Sequence, residues 1–444
     1  MNTQDTVKKT GDFIRNSATL KIVSIGILIL VLLIPTSMIS SLMKERESRR
    51  DSVVQEINRK WGNSQTITGP FFTVPYKSIY KDKDEKLKFH IKYLHILPEK
   101  LKLSGRIDPH IRYRSIYEAV LYNTQITVAG NFTLPDLSQS NIDPDNIFWE
   151  KAMYSIGITD MRGIQENIEI TFNGTKYGVS PGLKTTDIAS AGVSSVIPLS
   201  PSNSTNSFSL QLNFNGSEQI QFIPVAEETN VEIKSSWTSP SFNGAFLPTT
   251  RDITDKGFSA SWKVLHLNRN FPQFWIGNQY KVNTASFGLK LLITTDIYHK
   301  SIRISKYALM FIVFTFAAFF FSEIINRKRI HPIQYLLIGL AIILFYALLL
   351  SISEHINFDY AYLLSAVAIT FLITGYSKGV VRNKNFTLTV FAILVSLYLY
   401  LYIVLQLEDY ALIMGSIGLL AVLSAVMYIT RKIDWYSLET NQNE

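Results

Sequence analysis

Three groups of side chains in this 444-residue chain have types and spacings that could do chemistry. His90, His95 and His110 fall within 21 positions, a density that invites a metal site. Glu354 and His355 stand side by side at the end of a long uncharged run, as a carboxylate holding an imidazole in one protonation state would. Glu323 lies inside another such run, where an ionisable group is costly and so a candidate for function. No G-x-S-x-G, H-E-x-x-H, P-loop or G-x-G-x-x-G occurs. With no cysteine, disulfides, thiolate zinc sites, iron–sulfur clusters and cysteine nucleophiles are excluded together. No catalytic residue, metal ligand or cofactor is expected from these patterns.

Each candidate depends on the element that carries it. If residues 86–97 form a strand, His90 and His95 are an odd number apart and face opposite sides, so the histidines read as surface or edge residues. Residues 331–355, HPIQYLLIGLAIILFYALLLSISEH, are polar at both ends and carry no charge between Ile333 and Ser353. About 20 apolar residues span a bilayer core of roughly 30 Å, whereas a soluble core helix interleaves charges on its wet face. Pro332 suits a first helical position, where its missing N–H has no intrahelical partner. Residues 333–353 therefore read as a membrane span, with His331 at one end and Glu354-His355 at the other.

Five further runs fit the same template: Ile22–Met43, Tyr307–Ile325, Tyr360–Tyr376, Phe386–Gln406 and Tyr410–Thr430. The first is longer than a signal h-region and lacks an A-x-A-like site before Lys44, so it reads as an uncleaved anchor. Lys8, Lys9, Arg15, Lys21, Arg327, Lys328, Arg329, Lys378, Arg382, Lys384, Arg431 and Lys432 all flank one side of the spans. The opposite short loops hold only Glu354, Asp359, Glu408 and Asp409. Twelve basic residues against none places both termini in the cytoplasm and residues 44–306 outside it.

Residues 44–60 continue the first span as a charged helix, with Val53, Val54, Ile57 and Trp61 at helical spacing to dock on the outer domain. Beyond Gly62, stretches such as 86–97, 124–134, 167–174, 207–216 and 287–298 alternate apolar and polar residues. Turn signals stand at 173–174, 181–182, 215–216 and 243–244. The expected fold is six transmembrane helices plus a large, mainly β, antiparallel sandwich-like domain between the first and second spans. The expected division is a tail over 1–21, a span over 22–43, the β domain over 44–306, a five-helix bundle over 307–430 and a tail over 431–444.

Several features have a plain and a functional reading. The segment 81–114 holds ten Lys or Arg against five carboxylates, a solvated β face or a surface for anionic lipid or an acidic partner, but not for nucleic acid outside the membrane. Asn131, Asn173, Asn203 and Asn215 match glycosylation acceptors and read as turns. Inside the spans ionisable residues are nearly absent and no proline is expected to break a helix, which speaks against an ion-coupled transporter. Small residues (Ala411, Gly415, Gly418, Ala425; Gly339, Ala347, Ser351) form packing stripes. The Phe-rich second span reads as lipid-facing.

Residues 331–355 closely resemble the segment that marks the CreD family of bacterial inner-membrane, cell-envelope integrity proteins. PSFNGAFLPTTRDITDKGFSASWKV (240–264), TGPFFTVPY (68–76), ITDMRGI (158–164) and RKIDWYSL (431–438) are similar to that family's patterns as well. The resemblance runs from the first span to the last, although the outer domain is richer in Asn, Lys and Ser. It implies a multi-pass inner-membrane protein with residues 44–306 in the periplasm, tied to envelope stress. It supplies no catalytic residues. The expected function is a non-enzymatic envelope integrity protein, with membrane lipids around the spans and an envelope protein or cell-wall component at the β domain. A transporter or lipid-handling protein, and a membrane-attached envelope enzyme, stay open as alternatives. Glu354, His355 and Glu323 are the candidate functional residues.

Overall fold

The protein was analysed as a computed structural model that describes residues 18–81, 85, 87–137, 142–201, 205–293, 297–326, 330–407 and 410–431. Several topology residues lie outside this set, namely Lys8, Lys9, Arg15, Arg327–Arg329, Glu408, Asp409 and Lys432, as do Asn203 and the closing residues 432–444. The chain divides into two compact units, Asp51–Thr294 and a second made of Met1–Arg50 with Thr295–Glu444.

The described helices are α1 (Ala18–Trp61), α2 (Ile297–Ser305), α3 (Ala308–Asn326), α4 (Pro332–Ser353), α5 (Phe358–Val381), α6 (Lys384–Gln406) and α7 (Ala411–Thr430). Among the described residues, four helices are long and apolar enough to cross a membrane, or five if α2 and α3, bent by 46°, count as one span. Helix α1 runs through Pro35 without a break. Polar caps set the helix starts: His331 Nδ1 accepts from the Ile333 N–H while Gln334 Oε1 accepts from the His331 N–H, a reciprocal box at the head of α4. Asn357 and Asn383 cap α5 and α6 through their side-chain oxygens.

Large apolar side chains cover the outside of these helices, including Leu30, Ile34 and Met38 on α1, Leu363 and Phe371 on α5, and Leu388 and Leu399 on α6. A water-exposed helix would not carry such a continuous apolar surface. The inside is aromatic. Phe311 and Phe345 pack on Tyr398 at 4.6 and 4.8 Å between ring centroids, and the Tyr362 hydroxyl donates to the Tyr398 carbonyl at 2.6 Å. Phe311, Phe316, Phe319 and Phe320 are buried, so the Phe-rich span faces its neighbours and not lipid, contrary to the expectation from sequence. Tyr335, Phe386 and Tyr398 on adjacent helices supply the ring faces that hold it there. Of the small-residue stripes, Gly339 faces α1: a Cβ there would meet the tip of the Leu32 side chain at 2.2 Å, so its absence gives that side chain room.

In the other unit the described residues form seventeen strands in two sheets. They are β1 (Gln65–Lys81), β2 (Leu87–Ile96), β3 (Lys100–Arg114), β4 (Tyr117–Thr133), β5 (Met153–Ile158), β6 (Glu169–Phe172), β7 (Thr175–Gly178), β8 (Ser180–Pro181) and β9 (Gly192–Val196). Next come β10 (Thr205–Ser217), β11 (Gln219–Ile223), β12 (Glu228–Ser235), β13 (Pro240–Gly244), β14 (Thr250–Thr254), β15 (Gly257–Leu265), β16 (Phe274–Ile276) and β17 (Phe287–Leu291). One sheet runs β13-β17-β11-β1-β5-β9-β8, with β2 and β16 added beyond β1; the other runs β14-β15-β12-β3-β4-β10-β6-β7. Pairing is antiparallel apart from β1 with β11 and β3 with β12.

The sheets face each other through aromatic side chains. Phe72 on β1 meets Phe132 on β4 at 4.7 Å and Phe172 on β6 at 5.6 Å, and Trp262 on β15 meets Phe287 on β17 at 5.8 Å. Each such side chain, fully buried, contributes about 1.5–3 kcal/mol. Asn215-Gly216, expected as a turn, lies inside β10, where the missing Cβ leaves room for the Tyr122 ring. Asn131 is likewise within β4, whereas Asn173 does occupy a turn, at φ 47° between β6 and β7. The end of α1 docks as its apolar spacing implies: the Trp61 indole N–H donates to the Tyr122 carbonyl at 3.3 Å, and Asn58 Nδ2 donates to Glu218 Oε1 at 2.8 Å.

Candidate functional site

Glu323 is the one carboxylate the sequence places inside an apolar run; it stands in the last turn of α3, and its side chain is 9% exposed. Its Oε1 accepts from the Lys21 ammonium at the start of α1 and from the Ile330 N–H at 3.1 Å. Its Oε2 accepts from the Tyr335 hydroxyl at 3.2 Å. The cation and two further donors offset the hydration this carboxylate loses on burial. The cluster joins the first turn of α1, the last of α3 and the first of α4. Sequence reading missed the partner, since Lys21 stands 302 positions away and appears there only as a topology charge.

A second cluster sits at the other end of α4, about 33 Å away at 1.5 Å per residue. Glu354 Oε1 accepts from the Tyr298 hydroxyl at 3.1 Å, and Oε2 lies 3.8 Å from Arg46 Nη1. The Arg50 guanidinium stands 5.5 Å over the Tyr298 ring. His355 is exposed and joins none of these bonds. Glu354 is thus engaged by a tyrosine and an arginine and does not hold His355, as adjacent residues on a helical turn do not face each other. Nothing brings Glu323 and Glu354 together; each closes one end of the same helix.

In the β unit the three histidines occupy separate environments. His90 is exposed and packs edge-on against Tyr80. His110 packs edge-on against Trp61 at 5.3 Å. His95 is fully buried, which corrects its reading as a surface or edge residue. Its Nδ1 lies 3.2 Å from Thr73 Oγ1 and its Nε2 lies 3.0 Å from Asp187 Oδ2. The loop carrying Asp187 and the Trp275 ring cover it. Burial holds the imidazole below the ordinary histidine range, against the opposing pull of the Asp187 bond and charge. Hydroxyl, imidazole and carboxylate stand in the order of a nucleophilic triad, but the Thr73 hydroxyl is sealed inside. The row fastens a loop to a sheet.

The outer face of the eight-stranded sheet is more accommodating. Directly opposed residues share a face, so the registers place Glu232, Ser104, Thr127 and Gln211 in one row across four strands. Lys234, Arg106, Gln125 and Asn213 form the next row. The alternate positions, including Leu103, Val128, Leu212 and Ile233, are core. Along these rows lie two cavities of about 500 and 380 Å³ that share Thr127 and Gln211. Together they make a polar trough of hydroxyls, amides and charged groups. Its carboxylates are already engaged: Glu169 with Lys176 at 2.9 Å, Glu232 with Lys234 at 3.1 Å, and Glu166 with Asn213 Nδ2 at 2.6 Å. Alternation in SFSLQLNFNG announces such a face, but only the register shows which polar residues meet.

The family model described as inner membrane protein CreD matches residues 17–436. The chain belongs to the CreD family. The inner membrane protein CreD of Escherichia coli (strain K12) is 30% identical over 421 residues, with 92% of each chain covered. With several apolar helices, this CreD-family chain is a multi-pass inner-membrane protein. Among solved structures, an M1 zinc metallopeptidase of Deinococcus radiodurans aligns with 44% of this chain and 42% of its own, at 10% identity and a TM-score of 0.20, too low for any inference.

The segments that resemble CreD proteins have visible structural work. In ITDMRGI, Asp160 Oδ2 accepts from Asn63 N and Nδ2 at 3.1 and 2.8 Å and from Arg162 Nη2 at 2.7 Å. Its Oδ1 accepts from Arg162 N and Nε. These donors, Arg162 first, pull the Asp160 carboxyl down to about 2. The knot fixes the segment where α1 ends and β1 begins. In PSFNGAFLP, Gly244 closes β13 at φ 98° against the Ser286 carbonyl, a position a side chain could not share.

Proposed function

We propose that this CreD-family chain is a non-enzymatic envelope protein that binds an envelope component on the polar trough of its β unit. The trough carries the reading. It is a concave face lined mainly by polar side chains on a two-sheet scaffold, and its hydroxyl and amide rows suit a polar polymer such as a cell-wall glycan or an extended peptide. Binding rather than catalysis is supported by its carboxylates, each of which is held by a lysine or an amide.

The same proposal places six spans in the inner membrane, with both termini cytoplasmic and the β unit periplasmic, entered between the first and second spans. Two pairings support that map. Lys21 and Glu323 bring the start of α1 beside the end of α3, and Arg46 and Glu354 bring the far end of the α1 apolar run beside the end of α4. Successive spans then alternate in direction, with basic loops at the Lys21 end.

The test is co-sedimentation of residues 51–294 with purified cell-wall sacculi and with envelope membranes. The parent should sediment with one of these fractions, and Thr127→Arg with Gln211→Arg, which fills the trough, should stay in solution with an unchanged melt. Equal sedimentation of parent and filled variant would remove the trough from the proposal.

A further inference from the structure

The hairpin of β1 and β2 breaks the inside–outside rule that governs the rest of its sheet. Along β1 the even-numbered residues Phe72, Val74 and Tyr76 face the core, and along β2 so do Leu94 and Ile96. The opposite face holds Thr73 and His95. Beyond Tyr76 the strands continue as a two-stranded ribbon, and there the apolar side changes. Register pairs Ile79 with Phe89, Lys77 with Ile91 and Lys81 with Leu87, so these six side chains share the face turned away from the core. Ile79, Leu87, Phe89 and Ile91 are 43–73% exposed. The core-side positions of the ribbon are instead Ser78, Tyr80, Lys88, His90 and Lys92.

An exposed apolar patch of this kind marks an interaction surface. Charge says which. The described residues from Tyr76 to Lys92 carry Lys77, Lys81, Lys88 and Lys92 against one carboxylate, Glu85 at the tip. The Lys77 ammonium already lies over the Phe89 ring at 4.8 Å, so the stem covers the patch while the head stays at its rim. Four large apolar side chains sharing their face with Lys77 and Lys81 fit the boundary between acyl chains and anionic headgroups. An acidic protein surface would match the charge, but it would not require apolar side chains on the outward face. The unit is moreover joined at both ends to apolar helices, so lipid is the anionic surface always near it.

We infer that the outward face of the β1–β2 ribbon docks on a bilayer bearing anionic lipids, inserting Ile79, Leu87, Phe89 and Ile91 at headgroup depth. This inference is independent of the trough. The test uses the full chain, whose lack of cysteine makes single labels clean. Leu87→Cys carries an environment-sensitive fluorophore, with Leu267→Cys as a label at an exposed site elsewhere. Both are placed in phosphatidylcholine nanodiscs with and without phosphatidylglycerol. The Leu87 label should shift to the blue and escape an aqueous quencher only when phosphatidylglycerol is present, and the Leu267 label should not. Lys77→Glu with Lys81→Glu should weaken this docking by about five-fold or more per lysine, and high salt should release it. A Leu87 label open to the quencher in both lipids, or protected equally in both, overturns the inference. So does protection that appears only when two copies share a disc, which would make the patch a dimer contact.

Discussion

The Lys21–Glu323 pair offers the sharpest energetic test, because its magnitude separates an ion pair from ordinary helix packing. In the parent, Glu323 has three donors and is 9% exposed, and Lys21 is 23% exposed. Removing one member of a buried pair costs about 3–5 kcal/mol. The partial exposure of Lys21 lowers this to about 2–3 kcal/mol for Glu323→Gln or Lys21→Met. At about 2–4 °C per kcal/mol for a unit of this size, each single variant should melt roughly 4–12 °C lower. The double variant should melt no lower than the worse single one, a coupling of about 2 kcal/mol. Hydrogen-bonded contacts between membrane helices couple by only about 0.6 kcal/mol.

The measurement is loss of monodispersity on heating in detergent, tracked with a fluorescent fusion. With Trp435 changed to Phe in every variant, tryptophan fluorescence supplies an internal control, since the other five, Trp61, Trp149, Trp237, Trp262 and Trp275, lie in the β unit and should report an unmoved transition. Additive losses, or a coupling below about 0.5 kcal/mol, would refute the ion pair as the link that joins α1 to α3 and α4.

The β unit and the topology give further expected outcomes. Asp160→Asn removes a charged acceptor from five hydrogen bonds and should destabilise residues 51–294 by about 2–3 kcal/mol in urea unfolding. Because the Asp160 carboxyl is held near 2, below its ordinary 3.8, its contribution is complete above pH 3.8 and fades as pH falls toward 2. His95 has the same sign: its folded-state affinity for a proton is depressed, so stability is full above about pH 6.5 and declines as pH falls below it. His95→Gln should flatten that decline in a melt-versus-pH series; an unchanged slope would assign it to another group. A periplasm-active reporter fused within residues 100–300 should work, and one fused after Lys384 should not.

Legible and hidden features of the sequence divide along physical lines. The apolar runs at 333–353 and 386–406 were legible because lipid imposes a length and an absence of charge on the sequence itself. Alternation in residues 207–216 announced β10 for the same reason, a local period. The sealing of His95 was not legible, because Asp187, which caps it, is 92 positions away. The Phe-rich α3 misled because phenylalanine is equally at home against lipid and against Tyr398. The Asn215-Gly216 turn signal misled because Gly can mark a close approach, here by Tyr122, as well as a bend. For Glu354 the residue was legible and its partners, Tyr298 and Arg46, were not.

The most direct measurement on the trough is photo-crosslinking in living cells. A benzophenone amino acid replaces Gln211 in the full chain, with the same probe at exposed Leu267 for comparison. Gln211 should yield an adduct with an envelope component that disappears when Thr127→Arg fills the trough, while Leu267 yields none. Absence of an adduct at Gln211, or one that survives Thr127→Arg and also forms from Leu267, would contradict binding at this face.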